Sequence, residues 1–248
     1  MKSAEMSVGQ PTSASAASVD DGGAPAEPAL SDFIGNLDDG DREALFSLGH
    51  VRTYPRGGHI FRAKDPDAHV YFLKAGRVKI YQPADRGREV ILWFCLTGEV
   101  FGLAEVARGG RRTVSAIACE KSTVVAISRE GFREFVGARP KAALLCLQVL
   151  SSRLRGLSNV IVNLVADEVD IRIAKLILRL GARYGRREAG TIHLDIPLTH
   201  QEIADMVGTT RQTVTSVLSR FKRDGVLSID THRIQIESEE LLAGLAQE

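Results

Sequence analysis

At 248 residues with 44% apolar side chains, the chain is long enough for one large or two modest cores, and two are expected. Thirty-two Lys and Arg balance 31 Asp and Glu to a formal charge of +1, so a nucleic-acid surface has to be a local patch rather than a property of the whole chain. Cys95, Cys119 and Cys146 are odd in number, far apart and without a CxxC pair, which argues against a disulfide framework; with no signal-peptide or transmembrane-length apolar stretch, a cytoplasmic protein is expected.

Residues 1–30 are rich in Ala, Ser, Gly and Pro and poor in large apolar residues, and are read as a disordered tail. From about residue 38, DDGDREALFSLG predicts a short capped helix. Strand-length apolar runs follow at His59 to Phe61, Val70 to Leu73, Arg77 to Tyr81, Val90 to Phe94, Val114 to Cys119 and Thr123 to Ile127. YFLKAG and RVKIYQ are expected to pair as a hairpin about Ala75-Gly76, and the many short strands imply a small barrel or jelly roll over residues 31–138. After Pro140, Leu147, Leu150, Leu154, Leu157, Ile161 and Leu164 recur at spacings of three and four. That heptad seam predicts a dimerisation helix over 139–166, with packing on the chain's own barrel as the alternative. A second helix, Asp167 to about Leu180, carries Ile171, Ala174 and Leu178 on one face, and GARYGRREAG is expected to end it. The hinge is placed near Asp167, opening a C-terminal domain over 167–248.

The segment LTHQEIADMVGTTRQTVTSVLSRFKRDGVLSI reads as two helices meeting at a tight turn. Thr199 and Glu202 form a T-x-x-E capping box, Ile203 and Val207 share one face, Ala204 is small where a second helix can cross, and Gly208 sits at the turn. The next helix should begin at Thr209 or Thr210 and run to about Arg223, with Val214, Val217, Leu218 and Phe221 facing inward. Gln212, Thr215, Ser216 and Ser219 then point outward with Arg211 at their flank, residue types suited to base edges and phosphates. Arg220, Lys222 and Arg223 add charge at the far end. VLSI and RIQI about DTH complete the pattern as a wing.

In this order the elements resemble the CRP/FNR superfamily of bacterial regulators over residues 31 to 237, most specifically in QEIADMVGTTRQTVTSVLSRF and in GEVFGLAEVARGGRRTVSA, which looks like the family's effector cassette. The resemblance implies an α+β chain: a cyclic-nucleotide-binding-type jelly roll, a long dimerisation helix and a winged helix-turn-helix acting as a homodimer on inverted-repeat duplex DNA. By matching position, Arg211, Gln212 and Ser216 become the base-reading set, and Thr199, Gln201, Thr210 and Thr213 phosphate contacts. Ser216 departs from the arginine of the best-studied members, so the half-site should differ there. Contact with RNA polymerase is also implied, through the exposed loop Arg183 to Gly190 or the barrel surface.

For the effector, Gly102, Arg112, Thr113 and Ser158 match cyclic-nucleotide-binding positions. Leu103 falls where a ribose-binding Glu belongs, and Leu157 replaces a polar base contact; Glu105 is the nearest acceptor that could substitute. The effector is thus open between a cyclic nucleotide and another signal. An iron-sulfur cluster is not expected, because the N-terminal tail has no cysteine. The cassette lacks the Cys and His of the carbon-monoxide-sensing haem branch; His50, His59 and His69 remain as haem-ligand candidates, though histidines of this kind are more often surface or strand residues. The thiols sit within apolar runs and read as small buried residues. No nucleophile elbow, phosphate loop or metal-ligand spacing points to catalysis. The competing class is a ligand-binding interaction module that acts without DNA, against which the wing and second helix argue.

Overall fold

The computed structural model describes residues 32–66, 69–84, 87–107 and 109–247; the expected tail over 1–30 lies outside them. Helix α1 (Asp39–Ser47) starts where Asp38 accepts the amide of Asp41 at 2.8 Å, an ordinary N-cap. Eight strands follow: β1 (Gly49–Tyr54), β2 (His59–Phe61), β3 (His69–Ala75), β4 (Val78–Pro83), β5 (Glu89–Cys95), β6 (Val100–Phe101), β7 (Ser115–Ala118) and β8 (Ser122–Ser128). They form two four-stranded sheets, ordered β1-β8-β3-β6 and β2-β7-β4-β5, the arrangement of a jelly roll.

The strand pattern explains why the apolar runs are continuous rather than alternating. Tyr71 and Leu73 of β3, with Val124 and Ala126 of β8, fill the space between the sheets. Their neighbours Val70, Phe72, Val125 and Ile127 face the other way and are buried too, because Phe132 and Phe135 of α2 (Arg129–Gly137) and Val149 of the next helix cover that side. A strand buried on both faces reads as an unbroken apolar run.

The hairpin expected about Ala75-Gly76 does not form: β3 pairs with β8 and β6, and β4 with β5 and β7. The chain instead crosses from one sheet to the other there. Gly76 has φ of +95°, and an added Cβ would strike the Ser122 hydroxyl and the Lys121 carbonyl, so the glycine serves a close backbone approach. A sharp turn was legible locally; the sheet to which the chain returns was not.

Helix α3 (Pro140–Ala166) is a single helix of 27 residues with proline in its first turn. Ala142, Leu145, Cys146 and Val149 pack on the barrel. Leu147, Leu150, Leu154, Ile161 and Leu164 do not; they stay exposed on another face. After a break at Asp167 and Glu168, α4 runs from Val169 to Tyr184, four residues past the expected end. Its core-facing stripe is Ile173, Ala174, Ile177, Leu180 and Tyr184, while Ile171 and Leu178 are half-buried. Gly181 does not stop the helix: it is small because Ile236 packs there, 2.8 Å from where a Cβ would stand.

The expected loop from Arg183 to Gly190 is the end of α4 and a hairpin. Strands β9 (Gly185–Glu188) and β10 (Thr191–Leu194) pair about Ala189 and Gly190, both at positive φ. Helices α5 (His200–Val207) and α6 (Arg211–Arg223), strands β11 (Leu227–Asp230) and β12 (Arg233–Ile236) and helix α7 (Glu239–Leu245) complete the chain, with a sheet ordered β11-β12-β10-β9. Tyr81, Ile91 and Phe94 on the outer side of the barrel belong to the same apolar cluster as Ile203, Val207 and Leu218. The junction is also bonded: Tyr184 donates its hydroxyl to the Phe94 carbonyl at 3.2 Å, Arg77 donates to the Pro197 carbonyl at 2.9 Å, and Arg183 pairs with Glu99 at 2.6 Å. Among the described residues no helix is long and apolar enough to cross a membrane.

Candidate nucleic-acid interface and effector cassette

The helix-turn-helix is specified by its caps. Thr199 accepts the Glu202 amide at 3.1 Å, and the Glu202 carboxylate accepts the Thr199 amide at 2.9 Å, so both halves of the capping box are present. Such a cap contributes about 1 kcal/mol. Gly208 ends α5 at φ +70°, a left-handed conformation that costs glycine little. Thr210 caps α6 by accepting the Thr213 amide at 3.1 Å, and the two hydroxyls bond each other at 2.8 Å. Val214, Leu218 and Phe221 are buried and Val217 half-buried, which turns the opposite face outward.

Arg211, Gln212, Thr215, Ser216 and Ser219 are exposed together on that face. Thr215 donates to the Arg211 carbonyl at 2.9 Å, so its hydroxyl proton is used there, and the His200 Nδ1 at 2.8 Å has to be the donor to the Thr215 oxygen. Burial, then the neighbouring Arg211 and His232, hold His200 below the ordinary histidine value. His232 stands at the wing turn, where Thr231 and His232 both have positive φ. Arg211, His200 and His232 therefore gather cationic or protonatable groups beside the start of α6. Gln201 is exposed and donates to Asp205 at 2.8 Å.

At the far end of α6 the charges divide. Arg220, partly exposed, pairs with Asp170 at 2.6 Å, tying α6 to the start of α4 and lowering the Asp170 carboxyl through that bond. Lys222 and Arg223 remain exposed. This ion pair was not legible from the spacing, since its partners lie 50 residues apart.

In the cassette, Gly102, Glu105 and Arg112 are brought together. Arg112 is buried; its Nη1 donates to Glu105 Oε2 at 2.6 Å and to the Gly102 carbonyl at 3.1 Å, and its Nη2 donates to the His69 carbonyl. The guanidinium lies over the Phe61 ring, 4.2 Å from the centroid. A cavity of about 10 Å³ beside it is walled by His69, Gly102, Glu105, Arg112 and Arg129 among others; Leu103, Thr113, Leu157 and Ser158 are not in its walls. Leu103 joins the apolar cluster of Phe72 and Val100, Thr113 is exposed, and Ser158 donates back to the Leu154 carbonyl at 2.9 Å. Glu99, at the head of the cassette, is buried and receives Arg183 of α4.

Of the histidines, His50 is exposed, and His59 bonds the Tyr81 hydroxyl at 3.2 Å and Arg62 at 3.1 Å. Burial raises the thiols of Cys95, Cys119 and Cys146, the last to about 11.

Residues 51–139 match the family model of the cyclic nucleotide-binding domain, and residues 171–245 that of the Crp-like helix-turn-helix domain. Over 194 residues the chain is 32% identical to the CRP-like cAMP-activated global transcriptional regulator of Mycobacterium tuberculosis, covering 78% of this chain and 87% of that one. The chain belongs to the CRP/FNR family. It is also 30% identical to the global nitrogen regulator of a Synechocystis strain, over 76% of this chain and 84% of the relative. Among solved structures, a CooA mutant from Carboxydothermus hydrogenoformans superposes with a TM-score of 0.75 at 23% identity, covering 88% of this chain and 95% of that one, which shows a common fold.

Membership in the CRP/FNR family makes this a DNA-binding transcription regulator of α+β architecture. The alternative of an interaction module that acts without DNA is not favoured, because the Crp-like helix-turn-helix match takes in the whole wing and both helices.

Proposed function

We propose that the chain acts in the cytoplasm as a homodimer on an inverted repeat, with half-site centres about one helical turn, roughly 34 Å, apart. The observation that carries this reading is the outward face of α6: Arg211, Gln212, Thr215 and Ser216 are exposed side by side while every apolar residue of the helix is wholly or partly buried. Arg211, Gln212 and Ser216 read base edges, since a guanidinium and an amide can each make paired bonds to a purine. Thr199, Gln201, Thr210, Thr213 and Thr215 are assigned to phosphate: Gln201 keeps a second amide proton and one of the paired Thr210 and Thr213 hydroxyls keeps its own, whereas Thr199 and Thr215 have to turn their protons away from Glu202 and the Arg211 carbonyl to bond it.

The chain divides into a sensing barrel over 31–138, a dimerisation helix over 139–166 and a DNA-binding domain over 167–248. Leu147, Leu150, Leu154, Leu157, Ile161 and Leu164 form the dimer seam. Gly102, Leu103, Glu105, Arg112, Thr113, Leu157 and Ser158 mark the effector region, and the Glu99–Arg183 pair offers a path from its first residues to α4. The β9–β10 hairpin, with Arg186 and Arg187 exposed, is the face offered to RNA polymerase. No catalytic step belongs to this reading.

The test is fluorescence anisotropy of the purified protein on random duplex, then on sites selected from a random library. Salt-sensitive binding to random duplex and recovery of a palindrome are expected, the affinity falling with a log-log slope of about −0.9 per phosphate neutralised. Absence of binding at low salt refutes the reading.

A further inference from the structure

The guanidinium of Arg112 is the natural anion seat of the cassette, and it is already taken. Its side chain is withdrawn from solvent, and that of Glu105 nearly so. A cation in such a place needs a counter-ion, because the charge has lost its water. Glu105 supplies it from seven residues away, at 2.6 Å, while two carbonyls accept from other donors of the same group. The aromatic faces of Phe61 and Tyr71 cover the guanidinium, 4.2 and 5.9 Å from their centroids.

The loop is built to hold this contact. Val106 donates its amide to the Leu103 carbonyl at 3.1 Å and Gly109 donates to the Glu105 carbonyl at 2.8 Å, so Glu105 sits in a tight turn with its backbone fixed. At Gly102, with φ +81°, a Cβ would stand 3.0 Å from the His69 carbonyl and 3.1 Å from Arg112 Nη1, so the backbone closes directly over the guanidinium. The space left, about 10 Å³, suits one water molecule and not a nucleotide, which needs a few hundred Å³. Leu103, buried in the apolar cluster, offers no acceptor to a ribose.

We propose that Glu105 is a built-in counter-ion that occupies the anion position on Arg112, so the cassette folds closed to phosphate-bearing ligands until that carboxylate is removed. The proposal rests on reading residues 102 to 113 as the effector cassette. It separates this barrel from one that waits for a cyclic nucleotide: a ligand phosphate has to displace a carboxylate tethered beside the same cation. It also gives Glu105 a role opposite to that of a sugar acceptor. The second cation at the rim, Arg129, bonds to Glu130 at 3.0 Å and remains at the cavity wall, where it favours an anion once Glu105 is gone.

The test is calorimetric titration of the full-length dimer with cyclic AMP and, separately, inorganic phosphate, for the wild type, Glu105→Gln and Glu105→Ala. The wild type should give no heat with either at about 1 mM, whereas Glu105→Ala should bind at least one of them about tenfold or more tighter. Phosphate alone in the variant identifies a bare anion seat; cyclic AMP as well identifies a reopened nucleotide site, and both support the proposal. Glu105→Gln keeps the shape and removes the charge, so its gain, expected to be smaller, decides the matter if the alanine variant melts early. Micromolar cyclic AMP binding by the wild type overturns the proposal whether or not it changes in Glu105→Ala, as does a folded pair of variants with no gain. Anisotropy on DNA with the same preparations reports separately on the regulator reading: loss of DNA binding by the wild type sinks that reading without altering the anion titration.

Discussion

Replacing Leu154 and Leu157 together by lysine tests the seam of α3. In the single chain Leu154 leaves 67% of its surface in water and Leu147, Leu150, Ile161 and Leu164 leave 42–63%, although every one of them sits on a regular helix whose other face is packed. Full burial of a leucine contributes about 1.5–3 kcal/mol, so closing the exposed two thirds of Leu154 contributes about 1–2 kcal/mol. A two-fold axis counts each position twice. Leu157 is already half-buried and adds less. The double substitution therefore removes about 4 kcal/mol from dimerisation before the repulsion of four ammonium groups is counted, about a thousandfold in the dissociation constant. Sedimentation velocity at micromolar protein should show a monomer with unchanged circular dichroism, and affinity for a two-half-site duplex should fall with it. A dimer that survives at the wild-type dissociation constant refutes the assignment: the apolar stripe is then not the subunit contact.

Two further outcomes follow from the DNA-binding end. Arg211→Ala should leave the dimer intact and binding to random duplex nearly unchanged while erasing preference for the selected palindrome; retained preference removes α6 from base reading. His200 is held below 6.5 mainly by burial, next by Arg211 and His232, so the folded state favours the neutral ring. The associated stability is present above pH 6.5 and lost as pH falls through the lowered value. Thermal unfolding at pH 7.5 and 5.5 should show the wild type losing more on acidification than His200→Gln; equal losses contradict this. His59 shifts in the same direction and leaves a common slope in both proteins.

What the sequence made legible was local. The capping box at Thr199 and Glu202, the turn at Gly208, the inward stripe of α6 and the wing all depend on residues within a few positions of one another, and each stands in the structure where the pattern placed it. What it hid was long-range. Strand β1, exposed at most positions, has no alternation to betray it, and two-residue β6 is too short for any period. Of the glycines of GARYGRREAG, Gly185 does cap α4, whereas Gly181 lies inside the helix for a reason that comes from a strand downstream, the approach of Ile236. In the cassette the Arg112 match was visible by position, but its pairing with Glu105 was not, since nothing in the spacing says that the loop folds back on its own cation.

The sheet that holds β1 and β3 has β8 between them. Thr53 faces Thr123 across that pairing, so the ladder closes a loop of about 70 residues, an entropic toll paid before any contact is gained. During synthesis β1 cannot meet its ladder partner until β8, which ends at Ser128, has cleared the ribosome, and until then β3 has only the two-residue β6 to pair with, so both wait with an open edge. The helix-turn-helix and wing, made last, close over far shorter spans. This regulator therefore emerges with its slow-folding half first and its fast-folding half behind it, and chaperone capture is expected to concentrate on the barrel.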